Sequence, residues 1–308
     1  MGTSGGRRVL VPSGDDLGES PVWDPRTGTV AWIDASEASV LHRMDWRSGS
    51  HSRYPLATRC TAIGLGPVPD VYVAALGDGV GLLDSCGILL EKVGLGDGPS
   101  GALTNDGACS PDGAFWFGTT THSRQPLAGT LWRYDGGGIT PVATGYTLSN
   151  GIAWLEDGET FYHVDTFEHI VRRDKWDPGQ GHLDEEVFLT FAEEDGLADG
   201  IALDIEGGLW IAFWGTGAVR RYDPDGHVDH EIRFPVPNVT AVAFAGDDLT
   251  TLVVTSARST QDGGPADGSG HLYACDAGVP GLAPMIHHAG ARTPRSVRGP
   301  ARRGEERA

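Results

Sequence analysis

The sequence predicts an all-β fold, a six-bladed β-propeller of four-stranded blades, and three observations carry that prediction. The first is punctuation: 46 glycines and 19 prolines in 308 residues break the chain more often than a helical protein tolerates. The second is a recurring phrase, in which a polar residue leads into a short apolar strand, an acidic or glycine turn, and a second apolar or aromatic strand. The third is its spacing. The turn residues Asp24, Asp70, Asp112, Asp157, Glu206 and Asp247 lie 46, 42, 45, 49 and 41 positions apart, a period near 45 that links six copies.

The clearest copies of the phrase occupy residues 19–34, 105–118, 150–165 and 199–212, with weaker copies at 61–74 and 240–255. A further strand with its own turn follows each copy, at 40–45, 81–84, 131–135, 171–174, 219–223 and 271–276. Four short strands in one repeat make a propeller blade, and radial closure of the blades removes long exposed sheet edges. The ring then spans residues 8–290 as a single catalytic domain. Residues 1–7 form a flexible N-terminus and residues 291–308 an Arg-rich disordered tail. A solenoid fits less well because its repeats are shorter, and a sandwich has no reason to repeat a phrase.

Charge excludes one class of partner. A net charge of −19 opposes the counterion displacement that nucleic-acid binding requires. The tail is the exception, with Arg292, Arg295, Arg298, Arg302, Arg303 and Arg307 against Glu305 and Glu306, and is read as a solvated terminus. No segment approaches the roughly 20 apolar residues that span a bilayer, and residues 1–8 carry no apolar signal core, so no membrane partner is expected and the location is expected to be cytoplasmic. Cys60, Cys86, Cys109 and Cys275 show no C-x-x-C pairing and read as free thiols. The sequence leaves the oligomeric state open.

The repeat locates a site. Four positions before the large apolar residue of each inner strand stand Glu19, Thr61, Asn105, Asn150, Asp199 and Thr240. In a propeller these positions ring one mouth of the axial channel. Glu19, Asn105, Asn150 and Asp199 would bring two carboxylates and two amide oxygens together, a hard-oxygen set suited to Ca²⁺ or Mg²⁺, with Mn²⁺ compatible. Taken singly, each Asn-Gly or Asp-Gly reads more simply as a turn device. Other motifs carry less. Gly77-Asp-Gly-Val-Gly81 precedes no helix and is not a nucleotide loop, Asp223-Pro-Asp-Gly226 reads as a hairpin turn, and no G-x-S-x-G elbow is present. His287-His288 is expected to be a surface pair. Asp165, ending a strand with His163, is a candidate for the layer behind the ligands.

The ordered set Gly18-Glu19-Ser20-Pro21-Val22-Trp23, Asn105-Asp106-Gly107 with Pro111-Asp112-Gly113, Ser149-Asn150-Gly151-Ile152-Ala153-Trp154, and Ala198-Asp199-Gly200 with Gly208-Leu209-Trp210 resembles the senescence marker protein, gluconolactonase and luciferin-regenerating enzyme family, which includes regucalcin. The resemblance covers about residues 15–285 in the family's order and spacing. It implies a six-bladed propeller holding one divalent metal through Glu19, Asn150 and Asp199, with Asn105 touching the substrate or a metal-bound water. Ca²⁺ is the leading expectation, and Zn²⁺, Mn²⁺ and Mg²⁺ are compatible.

The resemblance also implies an enzyme, a metal-dependent hydrolase that opens a lactone, with Asp199 as general base toward a small-molecule substrate. Two departures bear on specificity. Members acting on sugar lactones commonly carry Arg two residues before the Asn of N-D-G, where this chain has Leu103. Past Gly118-Thr119 such members often have a carboxylate, where this chain reads Thr120-Thr121-His122-Ser123-Arg124. Leu103, His122 and Arg124 are therefore expected to shape the pocket wall, for a substrate less polar than a sugar lactone. Two alternatives stand beside this reading. One is a non-catalytic, metal-stabilised propeller that binds a small molecule or protein; the other is a metal-free propeller enzyme of the strictosidine-synthase type.

Overall fold

Six antiparallel sheets follow one another along the chain, and each is a blade in the computed structural model, which describes residues 6–96, 101–258 and 267–288. Blade 1 is Gly18–Asp24, Thr29–Asp34, Val40–Asp45 and His51–Pro55; blade 2 is Cys60–Leu65, Val71–Leu76, Gly79–Asp84 and Leu89–Gly94. Blade 3 runs Ala102–Cys109, Phe115–Thr121, Gly129–Tyr134 and Ile139–Tyr146, and blade 5 runs Leu197–Leu203, Leu209–Trp214, Ala218–Tyr222 and Val228–Arg233. The first strand of every blade contacts the first strands of its two neighbours, and blade 6 returns to blade 1, so the inner strands close a ring around the axis. Among the described residues the only helical segment is a 3-10 turn, Glu193–Asp195, and no helix is long and apolar enough to cross a membrane.

Blade 6 takes its first three strands, Val239–Ala245, Thr251–Ser256 and Leu272–Asp276, from the end of the ring and its outer strand, Arg8–Val11, from the beginning. Arg8 pairs with Ala274 and Val11 with Leu272, which ties the two ends of the chain into one sheet. Blade 4 keeps its inner strands, Ser149–Trp154, Thr160–Asp165 and Ile170–Asp177, but splits the outer one into His182–Asp184 and Val187–Thr190. Asp174 sits at the split. The sequence places a turn there, but the third strand continues to Asp177, and the buried Asp174 carboxylate instead accepts from Glu186 N at 3.3 Å, between the two outer pieces.

Acidic residues set the turns. At the end of the third strand, Asp84, Asp135, Asp177, Asp223 and Asp276 each accept at Oδ1 from the backbone N–H two residues on, at 2.8–3.0 Å, and Asp45 does so three residues on. Such Asx turns let one carboxylate replace a backbone acceptor in a tight reversal. They account for part of the acidic charge without any role in binding.

The core is divided in the same way. One cluster of buried apolar side chains fills each junction between adjacent blades, six in all among the described residues. Trp116 and Trp210 stand at equivalent places on the second strands of blades 3 and 5, paired with Ala108 and Ala202, and are fully buried in these layers, as is Trp32 one position further along in blade 1. Stability therefore rests on interblade contact, with no layer dispensable to the ring.

After Asp276 the chain crosses the hairpin end of the channel. Leu282 N donates to Leu203 O at 3.0 Å and His287 N to Leu65 O at 2.8 Å, so residues 281–287 strap blade 5 to blade 2 across the axis. His287 is fully buried, stacked on Tyr134 and bonded through Nδ1 to Gly113 O, which corrects the expectation of a surface pair; His288 alone is exposed. The pair looked superficial because polar side chains near a terminus usually are, and the buried partners are more than 150 residues away along the chain. The Arg-rich tail assigned to residues 291–308 lies outside the described residues, as do residues 1–5 of the N-terminal segment.

Candidate active site

Every inner strand begins at the open mouth of the channel, and near that start its pairing with the second strand slips by one residue. The slip falls between Glu19 and Val22, Cys60 and Ala62, Thr104 and Gly107, Ser149 and Ile152, Ala198 and Ile201, and Val239 and Val242. A bulge of this kind leaves a residue unpaired and re-aims its side chain. Thr61, Asn105, Asn150, Asp199 and Thr240 lie inside the slips, and Glu19 opens the one in blade 1. The following glycines do not sit in turns. A Cβ on Gly151 would come within 2.5 Å of Asp199 O, and one on Gly200 within 2.4 Å of Ala241 Cβ, so these glycines let neighbouring inner strands approach closely at the ring.

Two of the six ring positions are consumed structurally. Thr61 donates to Thr104 Oγ1 at 2.9 Å, and Thr240 donates to Gly18 O. The other four keep oxygen free. Asn105 Nδ2 donates to Ser149 O at 3.0 Å, leaving Oδ1 without a protein partner among the described residues. Asn150 Nδ2 donates to Thr166 Oγ1 at 3.0 Å, and Thr166 in turn donates to Ala198 O at 2.8 Å, one residue before Asp199. A single buried hydroxyl thus fixes the amide of blade 4 and the strand of blade 5 that carries Asp199.

Electrostatics single out the same place. Burial and the nearby charges of Asp199 and Asp106 hold the Glu19 carboxyl well above the usual range, and burial with Asp106 does the same to Asp199. Asp106 is pushed up to about 6, by burial, against a hydrogen bond from its own following Gly107 N–H. Among the described residues none of the three carboxylates forms an ion pair. Asp106 was not foreseen from the sequence: the register comparison selects one residue per blade, but the bulge in blade 3 spans both Asn105 and Asp106. The signal available was the second acidic residue of N-D-G itself. No group of three His, Cys, Asp or Glu among the described residues forms a ready-made cation cage, so a site here would draw on an amide oxygen such as that of Asn150 beside the carboxylates. Three crowded carboxylates without a cationic partner, flanked by oriented amides, fit a hard divalent cation.

Leu103 lies two residues before Asn105 on the same strand, half-buried and paired with Thr120. His122 and Arg124 are exposed in the loop that follows Phe115–Thr121 at the mouth, and the Arg124 guanidinium lies 5.2 Å from the centre of the Phe167 ring. Asp165 accepts from Thr147 N at 3.0 Å and Leu148 N at 3.0 Å, so it pins the connection that delivers Asn150. His163 is buried, its Nε2 2.7 Å from Ser149 Oγ, and burial lowers it to about 3, which keeps it neutral. Below the ring a cavity of about 190 Å³ continues down the axis, walled by small and apolar residues such as Ala153, Ala202 and Ala243, with Asp106 and Ser20 as polar members. Residues 282–285 of the strap floor it, leaving one open mouth.

The chain is similar to known proteins in sequence and in fold. A 6-deoxy-6-sulfogluconolactonase of Pseudomonas putida is 38% identical over 284 residues, covering 90% of this chain and 96% of that protein. A pentonolactonase of Haloferax volcanii is 34% identical, covering 84% of this chain and 88% of its own. The crystal structure of a calcium-binding protein, regucalcin, from Agrobacterium tumefaciens superposes with a TM-score of 0.83 at 30% identity, covering 92% and 98% of the two chains. Residues 17–258 match the family described as SMP-30/Gluconolactonase/LRE-like region, and the chain belongs to that family.

Proposed function

We propose that the protein is a lactonase that uses one divalent cation held by Glu19, Asn150 and Asp199. The observation that carries the proposal is the convergence of Glu19, Asp106 and Asp199 without a positive partner beside two amides whose orientation is fixed. Names of relatives at 38% and 34% identity point to lactone opening, and the calcium-binding relative supports a cation.

A cation bound there would polarise the lactone carbonyl and offset the charge that develops on its oxygen. Asp199 would take one proton from the attacking water and return it to the ring oxygen as the C–O bond breaks; the other water proton stays with the new carboxyl group, whose ionisation is the acid released. Asn105 presents Oδ1 as an acceptor to a substrate hydroxyl or to that water. Leu103 supplies an apolar wall in place of a cationic one, consistent with a substrate carrying fewer hydroxyls on that side. His122 and Arg124 stand at the rim.

The test is to strip the protein of metal, restore Ca²⁺, Zn²⁺, Mn²⁺ or Mg²⁺ singly, and follow acid release from a panel of aldonolactones and less polar lactones. Turnover should vanish in chelator and return with metal, and Asp199→Asn should lower kcat by about 10³-fold or more. Rates indifferent to chelator and to Asp199→Asn would overturn the proposal. Metal retention with no turnover across the panel would favour a binding protein stabilised by its cation.

A further inference from the structure

The loop that holds Arg124 contains an unspent cation in an acidic molecule. Most arginines of known placement are neutralised: Arg26 by Asp24, Arg43 by Asp70, Arg133 by Asp112, Arg220 by Asp195 and Glu231. Arg124 makes no ion pair and no side-chain hydrogen bond among the described residues; its one contact of this kind is with the Phe167 ring. The placement is not loose. Arg124 N donates to Thr121 O at 2.9 Å, Gln125 N to Thr121 Oγ1 at 2.8 Å, and Leu127 N to Thr147 Oγ1 at 3.1 Å. Arg124 and Leu127 adopt φ values of 49° and 58°, left-handed conformations that are unfavourable for a non-glycine residue and persist only where surrounding bonds hold them.

Position matters as much as charge. Thr121 pairs with Ala102 at the very start of the inner strand that carries Asn105, so the loop leaves the blade at the open mouth. Phe167, under the guanidinium, directly follows Thr166, the residue that fixes Asn150 and the strand of Asp199. The nearest acid on that loop, Glu168, is engaged by Thr147 Oγ1 at 2.6 Å. An aromatic face orients a guanidinium while leaving its N–H edge open, and that edge matches the paired oxygens of a carboxylate, sulfonate or phosphate.

The geometry points to Arg124, seated on Phe167, as the specificity determinant for a lactone that carries an anionic substituent away from its carbonyl. This rests on the lactonase reading and narrows its substrate class. Leu103 accepts the less polar side of the ring, and Arg124 meets the anionic end at the rim.

Two matched probes test it: D-glucono-1,5-lactone and the same lactone phosphorylated at carbon 6, each assayed for turnover and, in parallel, for calorimetric binding to the metal-loaded full-length protein. The expected result is a KM about tenfold lower for the phosphorylated lactone, with kcat similar for both and the advantage shrinking as salt rises. Arg124→Ala should erase the difference by raising KM for the anionic probe alone, and Arg124→Lys should restore part of it. Equal KM and equal binding for the two probes, or a preference that survives Arg124→Ala, overturns the inference while leaving lactone opening intact. Failure of both probes and of less polar lactones to turn over would count against the lactonase reading, and the Arg124 dependence of calorimetric binding would still decide the role of Arg124.

Discussion

Thr166 shows how the candidate site depends on a side chain outside the proposed ligand set. Its hydroxyl accepts from Asn150 and donates to Ala198 O, so removing it frees the Asn150 amide to flip and present nitrogen, a non-ligand, to the channel. Thr166→Val should therefore weaken metal binding by about tenfold in calorimetry, and Thr166→Ser should recover most of it. A melting temperature close to wild type would separate this effect from a general loss of packing, and unchanged metal affinity in Thr166→Val would refute it. The repeat alone places Glu19, Asn105, Asn150 and Asp199 at one register, and the choice of Glu19, Asn150 and Asp199 as ligands comes from the family resemblance. Thr166 was not legible in the sequence, because its role follows from a hydrogen bond across two blades, and Asp106 was not, because only the bulge turns two consecutive residues toward the same space.

Blades 3 and 4 meet over an unusual mixture of aromatic and ionisable groups. Trp116, Trp154, Trp176 and Phe161 pack together, and Asp174 lies opposite Phe161 on the same pair of strands. Burial, reinforced by the charge of Glu185, pushes the Asp174 carboxyl up to about 7. A folded value above the unfolded one means that the folded state holds the proton more tightly. Its contribution is fully present below about pH 4 and is lost as pH rises through 7, a change on the order of 4 kcal/mol. Asp174→Asn should remove that decline, so that the variant is more stable than wild type at pH 8 and nearly equal at pH 4 in denaturant unfolding; parallel pH profiles would contradict the assignment. At this scale the hairpins were readable from local turn chemistry. The split outer strand of blade 4 was not, because the sequence alone makes Asp174 look like one more turn residue.

The whole ring is held by two non-local devices, the strand Arg8–Val11 and the strap over the channel floor. Neither has a local signature, since each partner lies at the other end of the sequence or across the axis. Val11 is buried in the layer between blades 6 and 1, so Val11→Asp should lower stability by about 3 kcal/mol or more and loosen closure. An unchanged denaturation midpoint would show that the ring closes without that strand. Gly281 meets Phe244 so closely that a Cβ would fall 2.0 Å from its ring, which fixes the path of the strap. With the strap across the floor, the proposed chemistry belongs at the mouth, where the inner-strand bulges lie. The most direct test of that claim is calorimetric titration of the metal-free protein with divalent cations, alongside lactone turnover at each point. The expected result is one site per chain, activity that rises in step with its occupancy, and loss of both in Asp199→Asn. Full lactone hydrolysis by the metal-free protein, or stoichiometric binding that survives the substitution, would contradict it.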